Sequence, residues 1–251
     1  MPHDPTLERL LSFLQRSPTP WHATANMVTR LEQAGYRHID ETQSWSLSPG
    51  DRIVVTRNDS SIIALQLPEN GLEALRMIGA HTDSPGLRLK PNAPIVGRDW
   101  MQLGVEVYGG ALLAPWFDRD LGLAGRVHVR RDDGRLQGVL LNVDRPVATV
   151  PSLAIHLDRE ANNGRALNAQ TQMAPVVMQA DEDATLESLL QAWLEQQHGL
   201  GDAKVLDFEL GFYDLQPQEI GISLSEEFQL DPEQSTSAIV TTHPEAAYFT
   251  V

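Results

Sequence analysis

The stretch MIGAHTDSPGLRLK, Met77 to Lys90, decides how the chain is read. An apolar run ends in a His, a Thr and an Asp, and the Pro85-Gly86 pair then turns the backbone away. The run Leu75 to His81, LRMIGAH, is nearly continuous in apolar residues, the pattern of a strand covered on both faces. In open α/β sheets functional side chains favour the loops just past such strands, and His81 stands at that kind of position. Residues two apart on an extended chain face the same way, which puts Asp83 within reach of the His81 ring. A metal-binding His usually donates its second ring N–H to a carboxylate, fixing the tautomer and raising the basicity of the ligating nitrogen. Spacing alone leaves two readings open: a metal ligand steadied by its acid, or a structural His bonded to a neighbouring carboxylate.

Upstream, Leu7, Leu10, Leu11 and Leu14 recur at helical spacing, with Asp4 placed to cap. A second helix is expected from near Thr19 to Gly35, with Met27, Val28, Leu31 and Ala34 on one face. RIVVTR (Arg52 to Arg57) and SIIALQL (Ser61 to Leu67) flank Asn58, Asp59 and Ser60 and read as a hairpin. Downstream the character changes. Met101, Leu103, Val105 and Val107 alternate in a half-buried strand, and two more strands meet at an Asp132-Asp133-Gly134 turn. Lys204 to Leu215 adds another strand. One helix interrupts, its stripe of Leu186, Leu189, Leu190, Trp193 and Leu194 ending at Gly199. The class is therefore α/β: an α/β portion over residues 1–90, a β-rich domain with one helix over 91–221, and a divergent tail over 222–251.

Charge narrows the partners. With 19 basic and 34 acidic side chains the net charge is −15, which repels nucleic acid and anionic membrane, so neither is expected as a partner. No cysteine is present, so any metal must be held by His, Asp or Glu. The acidic, amphipathic start MPHDPTLERLL is unlike a secretory signal, and no apolar run nears the ~20 residues that span a bilayer; a cytoplasmic protein is expected.

Four blocks now stand in order: GAHTDSPGLRLKP; VEVYGGALLAPWFDRDLGLAGRV from Val105 to Val127; RPVATVPSLAIHLDR from Arg145 to Arg159; and FYDLQP from Phe212 to Pro217. Together with the opening LLSFLQRSPTPWHATANMVTRLEQAGY they resemble the M18 family of metalloaminopeptidases, from about Leu7 to about Gly221. The resemblance implies the N-terminal part of a metallopeptidase-type α/β catalytic domain plus a β-rich dimerisation domain. It implies homo-oligomers that remove N-terminal, in some members acidic, residues from peptide substrates, with two zinc ions in each site. On that resemblance His81 is a metal ligand, and Asp83 is the catalytic-site acid that orients it. His156 is then a substrate-binding residue reaching a neighbouring subunit's active site.

The family's later metal-site motifs, an Arg-Leu-Asp-Asn block, a Glu-Glu pair before Val-Gly-Ser and an Asp-Met-Ala-His block, do not occur here. Glu226-Glu227 precede Phe228, Asp231 lacks the flanking Arg, Leu and Asn, and His243 stands in a polar tail; none is assigned a ligand role. His22 reads as a capping or packing residue, and His128 as a strand residue facing solvent or an interface. His3, His38 and His198 read as residues without partners. The block Trp116 to Asp120 reads as architecture. One imidazole and one supporting acid fall short of the three protein ligands a catalytic zinc typically takes, so the chain alone is expected to be inactive. The alternatives are an oligomerisation fragment, or a chain completed by a separately encoded partner. With its covering layer missing, Leu75 to His81 is expected to expose apolar surface.

Overall fold

Two helices open the chain where leucine spacing places them: α1 over Pro5–Gln15 and α2 over Pro20–Gln33. The computed structural model describes residues 5–71, 74–97, 99–179 and 185–216, and the backbone of 237–240 and 247–250. The expected cap Asp4 lies outside the described residues, as do His3 and the assignments on 217–236 and 241–246. Thr19 caps α2, its hydroxyl accepting from the His22 N–H at 3.4 Å, and Pro20 follows where its missing N–H costs nothing. The buried positions of α2 are Trp21, Ala23 and Thr24; Met27, Val28 and Leu31 are half-buried and Ala34 exposed.

The chain divides into two units, Met1–Ser84 and Pro85–Val251. In the first, β1 (Arg37–His38) pairs in parallel with β2 (Arg52–Arg57), which pairs antiparallel with β3 (Ser61–Gln66). The β2–β3 turn has positive φ at Asn58 and Asp59, as a tight turn matched to strand twist requires. Ile39, Ile53 and Val55 form a small core with Leu65.

Leu75 to His81 departs from the sequence reading. It is not a strand, and Leu75, Met77 and Ile78 are 64%, 83% and 103% exposed. A strand buried on both faces needs neighbours for its backbone hydrogen bonds and layers over its side chains. Among the described residues the sheet of this unit holds β1, β2 and β3, and none of them pairs with the run. Its end is tied down where the Thr82 hydroxyl donates to the Ser60 carbonyl at 2.7 Å.

The second unit is built on a six-stranded sheet. Its strands are β4 (Gly86–Val96), β5 (Trp100–Tyr108), β6 (Leu121–Arg130), β7 (Leu136–Ala148), β8 (Val176–Gln179) and β9 (Lys204–Asp214). Their spatial order is β7-β6-β9-β4-β5-β8. β4 passes through Pro91, which falls in the bulge between Leu89 and Pro94, where a missing N–H does not break the ladder. Just beyond β7, Thr149 exchanges both backbone hydrogen bonds with Val176 at the start of β8, so the sheet curls until its two edges meet. A short helix, α3 (Ala169–Gln172), precedes β8, and α4 (Leu186–His198) follows it. A Thr185–Ser188 capping box starts α4 and Gly199, at φ +63°, ends it. Leu186, Leu190, Trp193 and Leu194 of α4 are buried in the same core as Leu87, Leu103, Trp116, Leu123, Val127 and Leu141. A further pair, β10 (Ser237–Val240) and β11 (Ala247–Thr250), is antiparallel.

Gly125 on β6 allows the close approach of β9: a Cβ there would stand 2.0 Å from the Glu209 carbonyl oxygen and 2.8 Å from the Leu210 Cα. Those are backbone atoms held by the ladder and cannot swing aside. Gly125→Ala is expected to cost about 3 kcal/mol or more. Gly134→Ala, in a turn at φ +83° with open space around it, is expected to cost about 1 kcal/mol. Urea denaturation of the two variants against wild type checks the contrast.

Candidate metal ligand and histidine loop

His81 follows the exposed apolar run, and its side chain is 81% exposed. Its Nδ1 lies 2.7 Å from the main-chain carbonyl oxygen of Asp83 and 3.7 Å from the Asp83 carboxylate. A carbonyl oxygen only accepts, so Nδ1 carries the proton and the Nε2 lone pair is directed outward. That tautomer fits a metal ligand. The orienting acceptor nearest the ring is the backbone of Asp83 rather than its carboxylate. Among the described residues, no group of three His, Asp or Glu side chains is placed to hold an ion.

His156 lies in the second unit, exposed in a turn within the loop that joins β7 to α3. The turn is closed by the Leu157 N–H donating to the Ala154 carbonyl at 2.8 Å. Its neighbours Leu153, Ile155 and Leu157 are 54%, 48% and 75% exposed, so the loop has no core of its own.

The block Trp116 to Asp120 underlies this loop. Trp116 is fully buried, and Asp118 adopts φ +58°. The Asp118 N–H donates to the Val150 carbonyl at 2.9 Å, and its carboxylate accepts from the Ser152 N–H at 2.8 Å. Hydrogen bonds from Ser152 hold that carboxyl below the usual carboxylate range. Arg119 donates to the Pro115 carbonyl at 2.9 Å, to the Asp214 carboxylate at 2.7 Å and to Gln216. These bonds give the block an architectural role. Asp158 and Arg165 pair at 3.1 Å, with the guanidinium 5.0 Å from the centre of the Phe117 ring. No motif marks that pair in the sequence; only the fold shows it.

Among the described residues, four further histidines have partners within the fold. His22 Nδ1 lies 2.7 Å from the Thr19 hydroxyl. His38 and His198 do have partners, contrary to their sequence reading: Nε2 of His38 meets the Thr56 hydroxyl at 3.2 Å, and Nε2 of His198 donates to the Leu140 carbonyl at 2.8 Å. Strand pairing and the α4 packing bring those groups together, and neither is local in sequence. His128 is half-buried, 3.8 Å from the Glu209 carboxylate, which also binds Arg126.

A family model described as Aminopeptidase I zinc metalloprotease (M18) matches residues 13–242. The chain belongs to the M18 family. It is 54% identical over 211 residues to a probable M18 family aminopeptidase 2 of Pseudomonas entomophila, a match covering 82% of this chain and 49% of the relative. Two solved structures share the fold. One, described as the structure of Chaetomium thermophilum mApe1, is 33% identical with a TM-score of 0.73 over 86% of this chain and 52% of that one. The other, a cryo-EM structure of the Ape4 and Nbr1 complex, is 35% identical with a TM-score of 0.76 over 84% and 44%. This M18 chain spans about half the length of the curated relatives it matches.

Burial lowers the pKa of His22 from 6.5 to about 4. The folded state therefore keeps the ring neutral while the unfolded chain takes up a proton as pH drops past 6.5. His22 supports the fold fully above pH 6.5, and that support declines as pH falls towards about 4, by up to about 3 kcal/mol in all. Urea midpoints of wild type and His22→Gln, compared from pH 7.5 to 4.5, are expected to show the steeper acid loss in wild type.

Proposed function

We propose that the chain serves zinc-dependent removal of N-terminal residues, acidic ones among them, from peptide substrates. In this reading His81 contributes a metal-ligating Nε2 and the Asp83 segment fixes its tautomer. His156 contacts substrate at the site of a neighbouring copy in a homo-oligomer. The observation that carries the reading is the His81 Nδ1 bond to Asp83, which leaves Nε2 free for an ion at the family's motif position. Bound zinc would polarise the scissile carbonyl and bring the pKa of a bound water to about 7. The contribution of this chain is to hold one ligand in the metal-accepting tautomer and to present an imidazole from the second unit. A cytoplasmic location accords with the absence of cysteine; among the described residues, no helix is long and apolar enough to cross a membrane.

One imidazole does not retain zinc against water, since catalytic centres typically use three protein ligands. Since the described residues offer no group of three ligands, we read the chain on its own as a non-catalytic member of the family. A second reading, an oligomerisation module, is favoured by two features taken separately: the self-contained core of the six-stranded sheet in the second unit and the exposed apolar run in the first. Purified chain dialysed with zinc is expected to keep well under one ion per polypeptide. It should show no turnover of peptides beginning with Asp, Glu or Leu. Stoichiometric zinc with turnover would reverse the assignment. Light scattering bears on the second reading: a strict monomer at micromolar concentration speaks against it.

A further inference from the structure

Two adjacent residues, Phe117 and Asp118, meet both flanks of the segment that carries His156. Before the histidine, the Asp118 carboxylate accepts from the Ser152 N–H at 2.8 Å, while the Asp118 N–H donates to the Val150 carbonyl. Phe117 itself bridges to Val150. After the histidine, Asp158 pairs with Arg165, and the guanidinium rests over the Phe117 ring. The Asp158 and Arg165 side chains are 17% and 19% exposed, so this pair is largely sheltered from water and from salt screening. Asp118 holds its place at a positive φ that few residues other than Gly, Asn and Asp adopt. Between the two anchors, Leu153, Ile155 and Leu157 point their apolar bulk outward and contribute little packing. The shape of the turn therefore depends on its flanks.

We propose that Phe117, Asp118, Asp158 and Arg165 form a clamp that positions His156, fixing its turn in one conformation from which the imidazole projects. They are positioning residues, acting through the loop and touching no reactant. The clamp accounts for the pairing of an aromatic and an acid at 117 and 118: the ring offers a face to a guanidinium and the acid closes the opposite flank. A planar guanidinium can pair with Asp158 while stacked on the ring, which an ammonium cannot reproduce. The catalytic meaning of the clamp rests on His156 being a substrate contact; the ordering of the loop does not.

The test reads order directly on the full chain. In carbon-labelled protein the His156 ring signal, assigned by its loss in His156→Gln, is expected to be single and narrow. Asp158→Asn and Arg165→Gln should broaden or split it and raise the rate of protease nicking between 152 and 164 at least tenfold. Arg165→Lys should fall between wild type and Arg165→Gln. Signals of the α4 core and the urea midpoint should stay in place. An unchanged His156 signal with unchanged nicking in Asp158→Asn and Arg165→Gln overturns the clamp. So does equal disturbance of the α4 core, which would mark a general structural role; Asp158→Asn, nearly isosteric, keeps that distinction readable. Co-assembly with the 54%-identical relative reads the role of His156 separately. Turnover of mixed oligomers is expected to drop about tenfold with His156→Gln and to drop with the clamp variants as well. No change with His156→Gln removes the substrate role, whatever the loop signals show.

Discussion

Strand β9 comes last in chain order among the six strands of its sheet, yet it lies between β6 and β4. Phe212 pairs with Leu123 on one side and Leu87 on the other, and Gly211 pairs with Ala124 and Arg88, so two adjacent residues join the β6–β7 hairpin to the β4–β5–β8 ribbon. Until β9 is seated, each half presents an open strand edge, at β6 and at β4. This pairing spans a long sequence separation and makes the sheet costly to nucleate. Its end also governs the surface above it. The Asp214 side chain is 2% exposed and meets Arg119 at 2.7 Å, and a carboxylate so buried is strongly destabilising without its partner. Through Arg119 the register of β9 holds the Trp116 to Asp120 block, and that block holds the loop of His156. A slip in the sheet would therefore reach an exposed imidazole with which it shares no direct contact.

What the sequence disclosed divides along the same line. The β2–β3 hairpin, the Asp132-Asp133-Gly134 turn and the α4 stripe were legible because each is written within a dozen residues, by alternation, turn chemistry or helical period. Leu75 to His81 carries an equally strong apolar signal and is not a strand. Apolar content reports that a segment would be stable if covered; it does not report that cover is present. The partners of His38 and His198 were not legible, since Thr56 and the Leu140 carbonyl reach them only after the strands pair and α4 packs. The Asp158–Arg165 pair lies within eight positions in sequence, but its meaning depends on Phe117, which arrives from another strand connection.

The candidate site was legible in a different way. The order and content of the blocks identified the family, while spacing alone left His81 between two readings. The structure adds a chemical detail to the motif: with Nδ1 bonded to the Asp83 main chain, the tautomer is set by backbone geometry. A substitution of the Asp83 side chain would leave that acceptor in place. The carboxylate at 3.7 Å then acts mainly through charge, favouring a cation nearby.

On the proposed role of His81, the exposed run and the lack of a three-ligand group among the described residues are one physical problem. A metal ligand binds well when its backbone is held by neighbours before the ion arrives, because otherwise binding must supply the ordering. His81 projects from a segment whose Met77 and Ile78 side chains are largely or wholly in water and whose backbone joins no sheet. Covering those two side chains would contribute roughly 1.5–3 kcal/mol each and would stiffen the chain that leads to the imidazole. A strand or layer over that face would therefore strengthen His81 in its proposed ligand role whether or not it donated an oxygen to a metal. The same exposure makes the run a hazard while it stays open, since an exposed apolar segment that pairs with no strand invites intermolecular association. In this unit, solubility and metal affinity are expected to rise together.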